Sequence, residues 1–147
     1  LASYNVVEDN LSFLQEMSRK YVDILFANEE EARAFTGEEN PEKALDIISE
    51  FVDIAIVKVG KNGSFIKQDG KKYSIGVIQA NSIDTTGAGD LYAGGFLYGL
   101  MQGKSLDKAG KIGAILSGNV IEVLGAKMNE ERWANITNEV SKIIAEK

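Results

Sequence analysis

Ile83-Asp84-Thr85-Thr86-Gly87-Ala88-Gly89-Asp90 runs without interruption into an apolar, small-residue stretch, Leu91-Tyr92-Ala93-Gly94-Gly95-Phe96-Leu97-Tyr98-Gly99-Leu100. The pattern is a glycine-rich turn feeding a helix, with the Asp90 carboxylate at the point of entry. The first backbone N–H groups of a helix have no internal acceptor and sit at the positive end of its dipole, so such a turn can hold negative charge. Asp90 is then placed to take a proton from an attacking hydroxyl. A cradle for an anion beside a general base suits transfer of a phosphoryl group to an alcohol, where positioning and electrostatics dominate. A tight turn with a first-turn acid suited to the dipole is the structural alternative. Asp84, Thr85 and Thr86 favour chemistry, because they add a carboxylate and two hydroxyls that a turn does not need.

Spacing excludes two other nucleotide-binding strings. A dinucleotide fingerprint needs G-x-G-x-x-G after a strand, and the third glycine position here is Tyr92. A Walker-type phosphate loop needs four residues between its glycines, whereas Gly99-Leu100-Met101-Gln102-Gly103-Lys104-Ser105 has three. That second string ends a helical pattern and fits a C-terminal glycine stop followed by a turn.

The string D-T-T-G-A-G-D followed by a small-residue helix, Asp84 to Gly95, resembles the signature of the pfkB family of carbohydrate and nucleoside kinases in the ribokinase-like superfamily. The resemblance implies that Asp90 is the catalytic base toward the acceptor hydroxyl. It also implies that Gly87, Ala88 and Gly89 form the anion hole for the transferred phosphoryl. The implied fold is α/β, a three-layer α/β/α core with a mostly parallel sheet. Residues 1–147 would be its C-terminal nucleotide-binding and catalytic half. Family members are about twice this length, so the N-terminal substrate-binding part and the lid are expected to lie outside this chain. Leu1-Ala2-Ser3-Tyr4-Asn5 lacks an initiating Met and resembles the end of a strand passing into a loop, in keeping with a fragment.

With 44% hydrophobic residues in 147, the chain can bury a core. A formal charge of −6 argues against a nucleic-acid or anionic-membrane surface and points to small molecules or proteins as partners. There is no cysteine, which excludes disulfides and thiolate metal sites, and no histidine, which removes the commonest zinc ligand and the Ser-His triad. No apolar run approaches membrane-spanning length and no leader pattern is present, so a cytoplasmic enzyme is expected.

Along the chain, Val7, Leu11, Leu14 and Met17 recur at helical spacing with Phe13 widening the face, and Tyr21 to Ala27 has the composition of a buried strand. Asn28 to Ala32 opens a short helix that stops at Thr36-Gly37. Asn40-Pro41 caps another, with Ala44, Ile47, Ile48 and Phe51 on one face. Ile54 to Val59 is nearly continuous in apolar content, as strands covered on both faces are. A glycine turn at Gly60–Gly63 and a hairpin about Asp69-Gly70 follow. The remaining helical patterns are Asp90–Met101, Leu106–Leu124 and Glu130–Glu146, the last with Trp133 as a packing residue. Helices alternating with buried strands predict an α/β core whose ligands bind at the carboxyl ends of the strands.

Asn28 and Glu31 have the spacing of a helix N-cap with its N3 acid. They also match the N-x-x-E motif of the pfkB family, which implies that Glu31 organises Mg²⁺ through water beside ATP phosphates; both roles can hold together. The turn Lys58-Val59-Gly60-Lys61-Asn62-Gly63 implies, by the same resemblance, an approach of Gly60 and Gly63 to the ATP phosphates and ribose. Lys58 stands where relatives commonly have Thr, and a plain hairpin connection is the alternative. Ile112 to Ala126 resembles the family helix that flanks adenine, with Gly113 and Leu116 near the base. Helix glycines cost about 1 kcal/mol relative to alanine, so Gly113 and Gly118 require a close approach, for which a neighbouring helix is the simpler candidate. The resemblance further implies a monovalent cation, K⁺, held by Asp84, Thr86 and carbonyls around Val120, Val123 and Gly125, with Asn129 where a serine often completes the site. Ala93, Gly94, Gly95 and Gly99 suit tight helix packing.

These features predict the catalytic part of an ATP-dependent kinase that phosphorylates a hydroxymethyl group of a sugar or nucleoside. Its full-length form is expected to be a homodimer, and the isolated fragment inactive. A non-catalytic nucleotide-binding or regulatory module of the same fold is the alternative, which the intact Asp90 disfavours. Vitamin kinases of the wider superfamily often use a cysteine-bearing turn, and this chain has none.

Overall fold

The apolar run at Ile54 becomes the best-buried strand of a four-stranded sheet. The computed structural model describes Leu1 and residues 3–146, and it divides into two compact units, residues 1–74 and 75–147. The first unit runs α1 (Tyr4–Asp9), α2 (Leu11–Tyr21), β1 (Ile24–Asn28), α3 (Glu29–Thr36), α4 (Pro41–Ile48), β2 (Ile54–Lys58), β3 (Ser64–Gln68) and β4 (Lys71–Ile75), the last ending at the boundary. Sheet order is β1-β2-β3-β4. β1 and β2 are parallel, in register from Ile24↔Ile54 to Asn28↔Lys58, which requires the crossover that α3 and α4 provide. β3 returns antiparallel to β2, with Lys58 opposite Ser64. The expected α/β class holds, and the sheet is mixed because two turns reverse the chain. Gly60–Asn62 forms one turn of 3₁₀ helix closed by Gly63, and Asp69 (φ 49°) with Gly70 (φ 75°) supplies the positive φ pair of a tight hairpin.

Local chemistry sets the helix ends. Asn40 Oδ1 accepts from the amides of Glu42 and Lys43 at 3.0 and 3.1 Å, and Pro41 occupies the first helical position. Gly37 (φ 75°) stops α3. Phe35, Leu45, Ile48, Val57 and Val7 centre the core of this unit. The single helix expected through Val7 and Met17 is instead two, because Asn10 donates its side-chain amide to the Val6 carbonyl at 3.0 Å and leaves helical geometry at φ −128°. Phe13, expected on the buried face, is 59% exposed. Tyr21 ends α2 rather than opening a strand, and β1 is buried only at alternate residues because Leu25 and Ala27 share the face that packs on the core of this unit. Phe51 falls past the end of α4, yet it packs edge-on to Phe35 at 5.2 Å with the Arg19 guanidinium 3.9 Å from its ring centre. The strand end expected at the start of the chain includes Ala2, which lies outside the described residues.

The second unit contains α5 (Ala88–Met101), α6 (Leu106–Val120) and α7 (Glu130–Ala145). Ile112, Val120, Met128, Ile136 and Val140 form a core. Glycine lets α5 and α6 approach closely: a Cβ on Gly95 would lie 2.9 Å from the Ile112 carbonyl, and one on Gly99 would lie 2.8 Å from Ala109 Cα. The Gly99–Ser105 string is the predicted stop, with Gly103 at φ 69°, Lys104 N–H donating to Gly99 O at 3.1 Å and Gly103 N–H to Leu100 O at 2.9 Å. α5 begins two residues before Asp90, and α6 ends at Val120, short of the expected Leu124. Trp133, expected to pack, is 41% exposed. No described helix is long and apolar enough to cross a membrane.

Candidate functional site

Gly87 caps α5 in the left-handed region (φ 78°) and accepts the Leu91 amide at 2.9 Å, so Ala88, Gly89 and Asp90 form the first turn. A Cβ on Gly87 would lie 2.8 Å from Ala126 Cβ, so both backbone conformation and space demand glycine. The Ala88 amide donates to Thr85 O at 3.1 Å. The amides of Gly89 and Asp90 have no acceptor within the helix, as first-turn geometry requires. Asp90 is exposed beside them. The predicted pairing of a helix entry with a carboxylate is therefore present, although one of the anticipated donors is engaged within the turn.

Asp84 organises that turn. One carboxylate oxygen accepts from the Thr86 amide (2.9 Å) and hydroxyl (2.7 Å), and the other accepts from the Gly125 amide (2.8 Å). The Thr86 hydroxyl, then the Thr86 and Gly125 amides, hold this carboxyl below the usual carboxylate range. The Ile83 and Asp84 amides both donate to Ile121 O, at 2.7 and 3.1 Å. Val120 O accepts the Val123 amide at 3.2 Å, and Gly125 turns the chain at φ 72°. Asp84 and Thr86 thus meet the segment from Val120 to Gly125. Asn129 is spent as the cap of α7, accepting the Arg132 amide at 2.9 Å.

Gly113 faces α5, where a Cβ would lie 2.8 Å from Tyr92 O, so a neighbouring helix explains this glycine. Gly118 is filled by the Ile78 side chain, and Leu116 packs half-buried on the core of the unit.

In the first unit, Asn28 ends β1 and Lys58 ends β2, paired in register at the carboxyl edge of the parallel strands. The Glu31 amide donates to Asn28 Oδ1 at 2.8 Å. In return, the Glu31 carboxylate accepts from the Asn28 amide at 3.0 Å and its side-chain amide at 3.2 Å, completing a capping box. Glu31 is nonetheless only 6% exposed. Gly60 (φ 51°) and Gly63 (φ 93°) follow directly, and a Cβ on Gly60 would lie 4.0 Å from Glu29 Oε2. A depression of about 320 Å³ opens here between Glu29, Asn40, Val59, Asn62 and Phe65. A larger one, about 510 Å³, lies by Tyr21–Asp23 and Ser49–Asp53 at the amino ends of the strands, the end open sheets do not use for ligands.

Sequence reasoning missed Asn81, Ile121, Glu122 and Arg132. Asn81 N–H donates to Glu122 Oε1 at 2.8 Å, and Arg132 Nη1 to Glu122 Oε2 at 2.8 Å. No local spacing signals contacts between residues so far apart.

A parallel βαβ crossover in the first unit, and in the second a glycine turn opening a helix with an acid in its first turn, are the features of an α/β fold. The chain matches the pfkB carbohydrate kinase family over residues 3–132 and belongs to it. It is 34% identical over 146 residues to a nucleoside kinase from Methanocaldococcus jannaschii, an alignment covering 97% of this chain and 48% of that protein. Among solved structures, it is 35% identical to a probable sugar kinase from Rhizobium etli with a TM-score of 0.87, covering 95% of this chain and 43% of that one. It is 32% identical to adenosine kinase from Sinorhizobium meliloti, with the same TM-score of 0.87 and the same coverage, 95% and 43%. Similarity to solved ribokinase-family structures places the fold in the ribokinase-like class. The chain spans about half the length of the curated relatives it matches.

Proposed function

We propose that this chain supplies the nucleotide-binding and catalytic part of an ATP-dependent kinase that phosphorylates a hydroxymethyl group of a sugar or nucleoside. The observation that carries this is Asp90 exposed in the first turn of α5, beside amides that a left-handed Gly87 sets at the helix entry. The Asp90 carboxylate takes the proton of the acceptor hydroxyl as its oxygen bonds to the γ-phosphorus and the bond to the leaving ADP oxygen breaks. Charge on the transferring phosphoryl is met by the N–H groups of Gly89 and Asp90 and by the positive end of α5. Within the first unit, Asn28, Glu31, Lys58, Gly60 and Gly63 are proposed as nucleotide-binding residues, and within the second, Leu116 is proposed to line the adenine side. Gly113 supports that side through its packing on Tyr92.

Each Glu31 oxygen accepts from Asn28, and an ionised carboxylate has about four acceptor positions, so Glu31 retains capacity for a hydrated magnesium ion. Bound Mg²⁺ would neutralise the nucleotide phosphates. A potassium ion is proposed for the ring of Asp84, Thr86, Val120, Val123 and Gly125. It would share oxygens with the hydrogen bonds already made there.

The similarity to nucleoside and adenosine kinases favours a nucleoside or sugar acceptor, and the whole protein is proposed to act as a homodimer in the cytoplasm. Phosphotransfer from ATP to a panel of sugars and nucleosides, by the natural gene product carrying this sequence and by its Asp90→Asn variant, is the test. Equal turnover by the two would remove Asp90 from the mechanism.

A further inference from the structure

Residues 76–87 leading into α5 have no regular secondary structure, and they lean on the end of α6 along most of their length. Ile78 fills the space over Gly118, Asn81 N–H reaches Glu122, Ile83 and Asp84 N–H reach Ile121 O, and Gly87 abuts Ala126. The orientation of the first-turn amides of α5 therefore depends on where residues 118–126 stand. That segment takes in the last turn of α6, which ends at Val120, and the irregular stretch of residues 121–126 beyond it.

One side chain from α7 fixes it. Arg132 Nη1 donates to Glu122 Oε2 at 2.8 Å and to the carbonyl and side-chain oxygen of Asn119, at 3.3 Å each. Asn119 is anchored in turn, its side-chain amide donating to Ile115 O at 2.9 Å. Glu122 spends its second oxygen on the Asn81 amide, so one carboxylate joins the α7 cation to the loop ahead of the proposed anion hole. Arg132 and Glu122 are each 27% exposed at the side chain, so water screens the pair less than a free surface pair.

We infer that Arg132 is a positioning residue for the phosphoryl-binding turn, acting through Glu122 on Asn81 and thereby setting the register in which residues 81–87 deliver Gly89 and Asp90. The inference rests on the proposed kinase reaction for its consequence in turnover, but not for its structural content. A displaced loop leaves substrates bound and the amides misaimed. Misplacement by about an ångström can cost on the order of 10²-fold in rate.

The experiment compares Arg132→Met, Arg132→Lys and Glu122→Gln in the natural gene product, by amide hydrogen exchange and by ATP turnover. Exchange at Ile83 and Asp84 is expected to quicken about tenfold in Arg132→Met and Glu122→Gln, with Phe96 to Leu100 of α5 unchanged and Arg132→Lys close to wild type. Turnover should fall about tenfold with KM for ATP within about twofold. Unchanged exchange at residues 83–84, or equal quickening through α5, α6 and α7, would overturn the inference, the latter by showing only a stabilising pair. Absent phosphotransfer by the wild type would instead count against the proposed reaction, and the exchange data would still decide the role of Arg132.

Discussion

Gly87 and Ala126 approach so closely that a β-carbon on Gly87 would sit 2.8 Å from that of Ala126. The contact joins the turn that opens α5 to the turn that follows α6, where Asp84 also holds the Gly125 amide. Gly87→Ala should therefore lose about 1–2 kcal/mol from the left-handed backbone and more from the contact. Adding Ala126→Gly should restore only the contact portion, as a double-mutant cycle in thermal unfolding would reveal. Full recovery would show that the φ of 78° carries no strain.

Asp90→Asn should leave ATP affinity and melting temperature nearly unchanged while turnover falls by on the order of 10²-fold or more, since the amide keeps the shape and loses the basicity. Binding by calorimetry, set beside the rate, separates this from a folding defect.

Gly113→Ala would gain about 1 kcal/mol in helix propensity on a free surface. Packed against the Tyr92 carbonyl it should instead lose about 1–3 kcal/mol, because backbone on both sides has no room to yield. A raised melting temperature would mean that α5 and α6 do not cross this tightly.

Asp46 on α4 receives Lys67 at 2.7 Å and Lys72 at 3.0 Å, and these partners, Lys67 first, hold its carboxyl below the ordinary value. A depressed folded pKa contributes stability that is complete above the unfolded value near 4 and is lost as pH falls through the folded one. Wild-type stability should exceed that of Asp46→Asn by a constant margin from pH 7 to about 5, and the margin should shrink below about pH 4. A margin that grew toward acid would reverse the sign and refute the ion-pair account.

The 147-residue chain alone is expected to transfer no phosphate, since it covers less than half of each relative it matches, 48% of the nucleoside kinase for example. β1 stands at the sheet edge, where a strand of another molecule can add beyond the contact that the Leu1 amino group makes with the Phe26 carbonyl, so the isolated chain should also self-associate in sedimentation. Acceptor-dependent turnover by a clean monomer would contradict both expectations.

What the sequence determined by itself are features closed within a few residues. The Asn28–Glu31 capping box, the Gly37 and Gly103 stops, the proline-started α4 and the glycine entry to α5 each depend on contacts between residues two to five apart, so side-chain chemistry and φ preference suffice to encode them. Long-range neighbours were decided only by tertiary structure. Asp84 meets Gly125 across 41 residues and Arg132 meets Glu122 across 10, with no periodicity to announce either pair. Phe13 and Trp133 lie outward although the helix pattern admitted them to the core, because an amphipathic stripe fixes which residues share a face but not how wide a face its neighbours cover. Gly113 reads in sequence only as a close approach. That the approaching group is the backbone of Tyr92 follows from the crossing of two helices, a relationship stored in their packed surfaces rather than in the local chain.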